Sequence, residues 1–359
     1  MSGGSEPGTT ASSAGGPGAG GPTTGPVLAV GPLFLDVVMG GLEHAPRPGQ
    51  EQWVPDCALT PGGVANQAVA LSRLGLAASV VTYVGRDTAG RLVEAMLAEE
   101  GVGLDAVAYV ERQSVSTSLF FDGDRAITTF GSDAAPPVAP GPAPAALLAD
   151  LAGIAGSLDV IRAWRDSSTP TWVLGDVGWD PTGRWDPADL DPLHAVDVFT
   201  PNDAEALHYT RADSVAEAAG MLAQRVGTVI VTCGAHGVVA IGEERISLRC
   251  PAVRAVDTTG AGDTFSAALT WAHLHGLGLR AALSAAVLAA TLTVLSPGGA
   301  SSAPRLPMYF HAPLRMDGGH STACARHAHV TCRSAGLRFA TVFTGSSPGC
   351  PHQAAARSS

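Results

Sequence analysis

Segments typical of buried strands alternate with segments typical of helices from Val27 to about residue 307. This alternation predicts an α/β fold, with a parallel sheet covered by helices on both faces. The predicted strands are Val27–Val30, Ser79–Val84, Thr171–Leu174, Val196–Phe199, Thr228–Thr232 and Val238–Ile241. The predicted helices are Asn66–Leu74, Gly90–Glu100, Pro144–Leu151, Ala204–Tyr209, Val215–Val226, Asp263–His275 and Leu279–Leu295.

Two segments interrupt this alternation. Leu42–Leu59 is polar and rich in proline, and Ser114–Phe130 alternates around Asp122-Gly123, a strong hairpin-turn signal. Both segments predict antiparallel strands outside the main sheet. They form either ordinary surface hairpins or a small β lid over a site, with lid segments at about 37–60 and 112–130.

The two ends of the chain differ in composition from the rest. Residues 1–26 are mostly Gly, Pro, Ser and Thr, which predicts a disordered tail. Residues 308–359 contain Asp317 as their single acidic residue and sustain no helical or strand period. We therefore expect one domain over 27–307, followed by an atypical, unstructured C-terminal extension. The cysteines and histidines of 324–332 are spaced too tightly for the usual zinc finger.

The charged residues exclude several functions. Lys and Arg together number 21, all of them arginine, and the net charge is −11. Without lysine, a lysine-dependent phosphate loop and a Schiff-base mechanism are excluded. The acidic balance argues against nucleic-acid binding. The longest apolar run, Ala281–Leu295, is too short to span a bilayer, and no basic segment resembles a signal peptide. A cytoplasmic protein without membrane contact is expected.

The strongest chemical signal is the segment Asp257–Asp263, with the sequence DTTGAGD. It follows Val253–Val256, which is apolar except for Arg254, and opens a helix, so its small residues leave backbone N–H groups bare at a helix N-terminus. Those donors and the helix dipole favour a bound anion. A carboxylate beside a bound phosphate can accept the proton of an attacking hydroxyl. The alternative is a glycine turn in which Asp263 only caps the helix.

At this segment the chain resembles the ribokinase, or PfkB, family of sugar and nucleoside kinases, whose signature is D-T-x-G-A-G-D. The resemblance extends over about residues 27–303. It implies a ribokinase-like three-layer sandwich with a mostly parallel central sheet and a small β lid. It also implies that Asp263 is the catalytic base, and that Gly260, Ala261 and Gly262 form the anion hole for the transferred γ-phosphoryl group of ATP.

The resemblance assigns the sugar site to two further motifs. Gly62 and Gly63 precede Asn66, which opens a helix, and Asp36 follows the first strand in a G-x-x-x-x-D pattern. The glycines allow close approach to backbone, while the Asn and Asp side chains bind hydroxyls. Two residues separate Gly63 from Asn66, where three is commonest in the family. Without the resemblance, the local sequence is also typical of a helix that starts near Asn66 and of a solvated turn that contains Asp36.

The resemblance assigns the nucleotide to elements further along the chain. Asn202 and Glu205 match N-x-x-E, associated with metal-bound phosphates, and would hold Mg2+ through water; the same pair is also a capping box. The loop containing Thr232, Gly234 and Gly237 is expected around the nucleotide, together with Thr259, although a plain hairpin turn is the alternative.

A loop at 296–302 is placed where family members can hold a monovalent cation, so K+ near Asp257 and Thr259 is expected. The chain is thus expected to be an ATP-dependent carbohydrate kinase, with a slight preference for a ribokinase-like substrate. The alternatives are a nucleoside kinase of the same fold and a catalytically silent sugar- or nucleotide-binding protein. An exposed lid strand would favour a homodimer through edge pairing.

Overall fold

The computed structural model describes residues 25–121, 124–178, 180, 182–296, 298–305, 328–332 and 337–341. The chain divides into two compact units, Met1–Arg305 and Leu306–Ser359. The strands are β1 (Val27–Val30), β2 (Leu33–Gly40), β3 (Asp56–Gly63), β4 (Ala78–Val81), β5 (Tyr83–Gly85), β6 (Ala108–Val110), β7 (Ser114–Phe121), β8 (Asp124–Phe130), β9 (Ala146–Asp150), β10 (Trp172–Asp176), β11 (Val198–Phe199), β12 (Thr228–Thr232), β13 (Val238–Ile241), β14 (Arg245–Leu248), β15 (Ala328–Cys332) and β16 (Leu337–Thr341).

The helices belong to the first unit. They are α1 (Val64–Arg73), α2 (Thr88–Glu99), α3 (Leu151–Gly156), α4 (Leu158–Arg165), α5 (Asp203–Thr210), α6 (Val215–Leu222), α7 (Ala261–Leu274) and α8 (Leu279–Thr293), with short 3-10 helices at Pro187–Ala195, Gly234–His236 and Gly299–Ser302. Within the described ranges, no helix has both the length and the apolar character that a membrane span requires.

A large sheet with the order β14-β13-β12-β11-β10-β9-β1-β4 forms the middle layer. Its neighbours from β4 to β12 run parallel, and the edge pairs β12–β13 and β13–β14 are antiparallel. Successive residues of one strand enter different hydrophobic clusters, as Ala29 and Val30 do. Because successive side chains point to opposite faces of a sheet, both faces are covered.

A second sheet, with the order β3-β2-β7-β8, is the lid. β2 pairs with β3 antiparallel but with β7 parallel, so the expectation of purely antiparallel strands was wrong for that pair. The structure also begins the lid at Leu33, earlier than expected, and 42–55 contains no strand. Residues 122–123, the predicted turn, lie outside the described residues, but β7 and β8 do pair antiparallel.

The predicted helix Pro144–Leu151 was wrong. Ala146–Asp150 is β9, which pairs with β1 on one side and β10 on the other near the middle of the large sheet. The side chains of Ala146 to Ala149 are all buried. A short segment in which every residue is apolar shows neither the helical nor the strand period of hydrophobicity. A central strand and a helical segment therefore look alike in sequence.

Two smaller differences concern the remaining predictions. Ser79–Val84, predicted as one strand, forms β4 of the large sheet and β5 of a separate two-stranded sheet with β6. In the C-terminal extension, expected without regular structure, the described residues form the antiparallel pair β15–β16. The expectation therefore does not hold for these ten residues. Most of 308–359, and residues 1–24 of the tail, lie outside the described residues.

Candidate active site

The segment Asp257–Asp263 forms a tight turn into α7. Gly260 precedes the helix with a φ of 72°, a left-handed conformation that glycine adopts without strain. A Cβ atom at Gly260 would lie 3.0 Å from the Cα of Gly299, whereas at Gly262 it would meet no atom within 4 Å. The first turn of α7 therefore borders open space, and its N–H groups, which lack helical partners, suit an anion.

The carboxyl group of Asp263 lies in this first turn and packs against α1. The side-chain amides of Asn66 and Gln67 donate hydrogen bonds to it. Burial raises the pKa of Asp263 to about 6, and the two hydrogen bonds partly oppose that rise. The residue keeps some solvent-accessible surface. A carboxylate with this pKa is ionised at neutral pH yet more basic than usual, as a general base requires.

Asn66 links α1 to both halves of this site. Its Oδ1 accepts a hydrogen bond from the backbone N–H of Ala300 at 2.8 Å, and its amide nitrogen donates to Asp263. A Cβ atom on Gly299 would lie 2.9 Å from Asn66 Oδ1, so glycine is needed for this approach. The sequence predicted contacts from Asn66 to substrate hydroxyls. The structure shows it beside Asp263, with one amide hydrogen remaining for such a contact.

Asp257 joins the turn before α7 to the loop that follows α8. Its Oδ1 accepts from the N–H and the hydroxyl of Thr259, at 2.9 and 2.7 Å. Its Oδ2 accepts from the N–H of Gly298 at 2.9 Å. Asp257 is only 5% exposed, and these three donors compensate its desolvation. The turn that precedes α7 is thereby held against residues 298–300.

Further carboxyl groups lie near Asp263. Asp176 ends β10, and burial, together with the nearby charges of Glu205, Asp263 and Asp150, raises its pKa well above the usual value. Burial also raises the pKa of Glu205 to about 7. The pKa of Asp150, which ends β9, is raised by burial as well. The parallel strands thus bring several acidic groups to the carboxyl edge of the sheet.

The sequence did not single out Asp176 or Asp150. Both are the last residues of parallel strands, where polar groups collect at the edge of a sheet. For Asp150 that signal was hidden, because the preceding segment was predicted to be a helix. For Asp176, the aspartate directly after Leu174-Gly175 was the available signal. Its proximity to Glu205 and Asp263 depends on the strand order, which the sequence did not predict.

The predicted capping box at the start of α5 is present. Asn202 Oδ1 accepts from the N–H of Glu205 at 2.9 Å, and the N–H of Asn202 donates to Glu205 Oε2 at 2.7 Å. A parallel bridge joins Asn202 to Thr232 at the end of β12. The structure therefore brings the N-x-x-E element next to the predicted nucleotide loop.

Two glycines of that loop have different surroundings. Gly237 has a φ of 96°, and a Cβ there would collide with the carbonyl oxygen of Leu248, so this glycine is needed for packing. Gly234 has a φ of 51° and nothing within 4 Å of a Cβ position, so it faces open space. No described contact joins either glycine to Asp263.

The two parts of the predicted sugar site lie on adjacent lid strands. A Cβ on Gly62 of β3 would overlap the carboxyl group of Asp36 of β2, so glycine leaves room for that side chain. Gly63 has a φ of 63° and ends the lid strand where α1 begins. Thr60, paired across the strands with Asp36, places its hydroxyl 3.1 Å from that of Ser301. The lid therefore contacts the loop that also holds Asn66.

The carboxyl edge has the chemistry of a divalent-cation site that is completed by phosphate. Among the described residues, no three His, Cys, Asp or Glu side chains are grouped closely enough to hold a metal ion by themselves. Mg2+ usually binds through one or two carboxylates, with water and phosphate oxygens as the other ligands. Asp176 and Glu205, desolvated and mutually repelling, fit that role because a cation would favour their ionised forms.

Comparison with known proteins agrees with this geometry. A family model described as pfkB family carbohydrate kinase matches residues 28–306. The ribokinase of Lactococcus lactis subsp. lactis is 29% identical over 294 residues, covering 78% of this chain and 94% of that protein. The ribokinase of Bacillus subtilis is 29% identical over 296 residues, covering 77% and 96%. The structure of Arabidopsis thaliana ribokinase complexed with ribose and ATP superposes with a TM-score of 0.64 at 25% identity, covering 79% and 96%.

The family match and the fold shared with this ribokinase define a phosphotransferase that acts on an alcohol group. The chain belongs to the pfkB family of carbohydrate kinases. The predicted family, fold class and enzyme class are thereby confirmed, as is the assignment as an ATP-dependent sugar kinase with a ribokinase-like preference.

Proposed function

We propose that this sugar kinase transfers the γ-phosphoryl group of ATP to a hydroxyl of ribose or a close analogue, with Asp263 as the base. The observation that carries the proposal is the carboxyl group of Asp263 in the first turn of α7, with a pKa of about 6, beside the open space at Gly262. The N–H groups of Gly260, Ala261 and Gly262 stabilise the charge of the transferred group. Asp263 takes the proton of the attacking hydroxyl.

The acceptor sugar lies between the lid and α1. Asp36 accepts hydrogen bonds from sugar hydroxyls, and Gly62 and Gly63 allow the ring to approach the backbone. Asn66 contributes its remaining amide hydrogen and at the same time orients Asp263. Asp36 thereby discriminates against analogues that lack the hydroxyls it binds.

The nucleotide lies over the loop of Thr232, Gly234 and Gly237, with Thr259 near the phosphates. Glu205 would hold Mg2+ through water, with phosphate oxygens as further ligands, and Asn202 fixes the glutamate through the capping box. Asp176 is a second carboxylate for that cation. When bound, Mg2+ would neutralise charge on the phosphates.

A monovalent cation, K+, is proposed beside Asp257 and Thr259. Asp257 is buried, and among the described residues it forms no ion pair with arginine. Its charge is compensated by hydrogen bonds alone. A cation held by backbone oxygens of the adjoining loop would stabilise this buried charge.

The substitution Asp263→Asn tests the base. It keeps the shape of the side chain but cannot accept the proton, so kcat should fall by about a hundredfold or more while ATP and sugar still bind. The measurement is steady-state phosphorylation of ribose, with binding followed by calorimetry. Parent-level turnover in Asp263→Asn would exclude Asp263 as the base.

A nucleoside acceptor is a second candidate, favoured by one observation. Trp53, in the segment between β2 and β3, is 89% exposed, and such a side chain can stack on a base. Thermal-shift measurements with ribose, fructose, 2-keto-3-deoxygluconate, adenosine and pseudouridine distinguish the candidates. The remaining alternative, a silent binding protein, predicts no ATP turnover with any of these acceptors.

A homodimer through the lid is proposed as well. The edge strands β3 and β8 expose Leu59, Ile127 and Phe130, each about half accessible. Exposed edge strands with apolar side chains favour pairing with another copy. Sedimentation equilibrium should give a dimer for the parent, and a monomer for Ile127→Glu if the proposal holds.

A further inference from the structure

One partly buried ion pair lies next to the site without belonging to it. Arg73, the last residue of α1, donates from Nε and Nη2 to the two carboxylate oxygens of Glu100, at 2.9 and 2.7 Å. The side chains of Arg73 and Glu100 are 11% and 20% exposed. Arg305 adds a more exposed contact to the same carboxylate at 2.9 Å.

Arg73 does more than neutralise Glu100. Its Nη1 donates to the carbonyl oxygens of Ser301 and Ala303, at 2.9 and 2.7 Å. Both carbonyls belong to the loop 298–303. The planar guanidinium therefore joins a carboxylate on one side to the backbone of this loop on the other, a geometry that a lysine ammonium cannot reproduce.

The opposite end of this loop contacts the proposed chemistry. The N–H of Gly298 donates to Asp257, and that of Ala300 donates to Asn66, whose amide in turn donates to Asp263. The loop 298–303 is thus held at one end by Arg73 and engages Asp257 and Asn66 at the other. Among the described residues, the backbone N–H of Ala300 holds the Oδ1 atom of Asn66 by a hydrogen bond.

We propose that Arg73 is a positioning residue, which fixes the loop 298–303 so that Ala300 orients the amide of Asn66 on Asp263. This inference rests on the proposed role of Asp263 as the base. A small displacement of a group near the reacting atoms can reduce the reaction rate by a large factor without weakening substrate binding. The described hydrogen bonds of Arg73 go to Glu100, Ser301 and Ala303, and none goes to a residue proposed to bind sugar or phosphate.

The test compares Arg73→Lys with Arg305→Lys. Both variants keep the charge beside Glu100, but the former loses the fork that reaches Ser301 and Ala303. For Arg73→Lys we expect kcat to fall by roughly ten- to a hundredfold, with the KM values for ATP and sugar within about twofold of the parent. For Arg305→Lys, which has no described contact to the loop, both constants should stay at parent values.

A second readout separates positioning from general support of the fold. The hydrogen bond from Asn66 lowers the pKa of Asp263, so its loss should move the acid limb of kcat/KM to higher pH in Arg73→Lys. Among the described residues, Gln67 of α1 and Asp176 of β10 also interact with Asp263, and Glu205 of α5 interacts with Asp176. Neither variant changes these groups. Hydrogen exchange at the Ala300 amide, measured by NMR, should also become faster in Arg73→Lys.

The outcomes are distinct. An inactive parent protein would refute the proposed function, whereas the exchange rate at Ala300 would still test the loop contact. With an active parent, Arg73→Lys that keeps the parent kcat and acid limb overturns the inference. Two other results also overturn it, because Arg73 would then only support the fold. The first is a lower Tm for Arg73→Lys with an unchanged acid limb, measured well below that Tm. The second is a fall in kcat that Arg305→Lys shares.

Discussion

At the scale of single residues, the acid limb of activity should report Asp263. Its pKa is raised to about 6 because burial disfavours the charged form. The base must be ionised, so kcat/KM for the sugar should be constant at neutral pH and fall as the pH drops through about 6. A pH profile of kcat/KM checks this, since that constant reports the free enzyme. A limb near pH 4, the usual range of Asp, would contradict the burial argument.

Asp176 should lower the stability of the ligand-free protein at neutral pH while contributing to Mg2+-dependent turnover. Its pKa is raised by burial and by neighbouring carboxylates, so the folded protein is stabilised when Asp176 is protonated. That contribution is complete at low pH and is lost as the pH rises from the unfolded pKa to the folded pKa. Asp176→Asn should therefore raise the Tm of the ligand-free protein at pH 7 and reduce Mg2+-dependent turnover.

Asp180 supplies the matched control for Asp176. Hydrogen bonds from the N–H of Trp185 and from Thr182 lower its pKa to about 2. The folded state therefore favours its ionised form, and Asp180→Asn should lower the Tm at pH 7. A lower Tm for Asp176→Asn, or an equal shift for both variants in a calorimetric scan, would refute the electrostatic interpretation.

At the scale of elements, two glycines of the DTTGAGD segment should respond differently to alanine. Gly260→Ala meets a left-handed φ and a contact to Gly299, so it should lower both Tm and kcat. Gly262→Ala has free space and a helical position. The Tm should stay the same or rise slightly, because alanine stabilises a helix by up to about 1 kcal/mol relative to glycine. The value of kcat should fall, because the added methyl group would occupy the space proposed for the transferred phosphoryl group.

A third glycine gives the baseline for these two substitutions. Gly220 lies in α6, away from the site, and also has free space around a Cβ position. Gly220→Ala should raise the Tm in the same way and leave kcat unchanged. The three variants are compared by thermal denaturation and steady-state kinetics. Full activity in Gly262→Ala would argue against phosphate binding at this turn.

The sequence predicted the elements whose signals are local. The DTTGAGD turn, the capping box of Asn202 and Glu205 and the amphipathic helices depend on neighbouring residues, and the structure contains them. The prediction was wrong for Pro144–Leu151 because a central strand is apolar on both faces. Contacts such as Asn66 with Ala300 join residues far apart in the chain, so no local pattern contains them.

At the scale of the whole molecule, the C-terminal extension should be dispensable. The chain divides between Arg305 and Leu306, and the family match ends at residue 306. A chain that ends at Pro307 should fold with a Tm within about 2 °C of the parent, since even 1 kcal/mol moves the Tm of a large domain by about 2–4 °C. Calorimetry and ribose phosphorylation check this. Loss of folding would show that the extension belongs to the domain.

The junction between the two sheets has a mechanical consequence. Only Gly31 and Pro32 separate β1, inside the large sheet, from β2 of the lid, and the carbonyl of Pro32 accepts a hydrogen bond from Val64 at the start of α1. Any movement of the lid about this junction would therefore be transmitted to α1, the helix that carries Asn66. Sugar bound beneath the lid would therefore be sensed at Asn66, directly beside the proposed base.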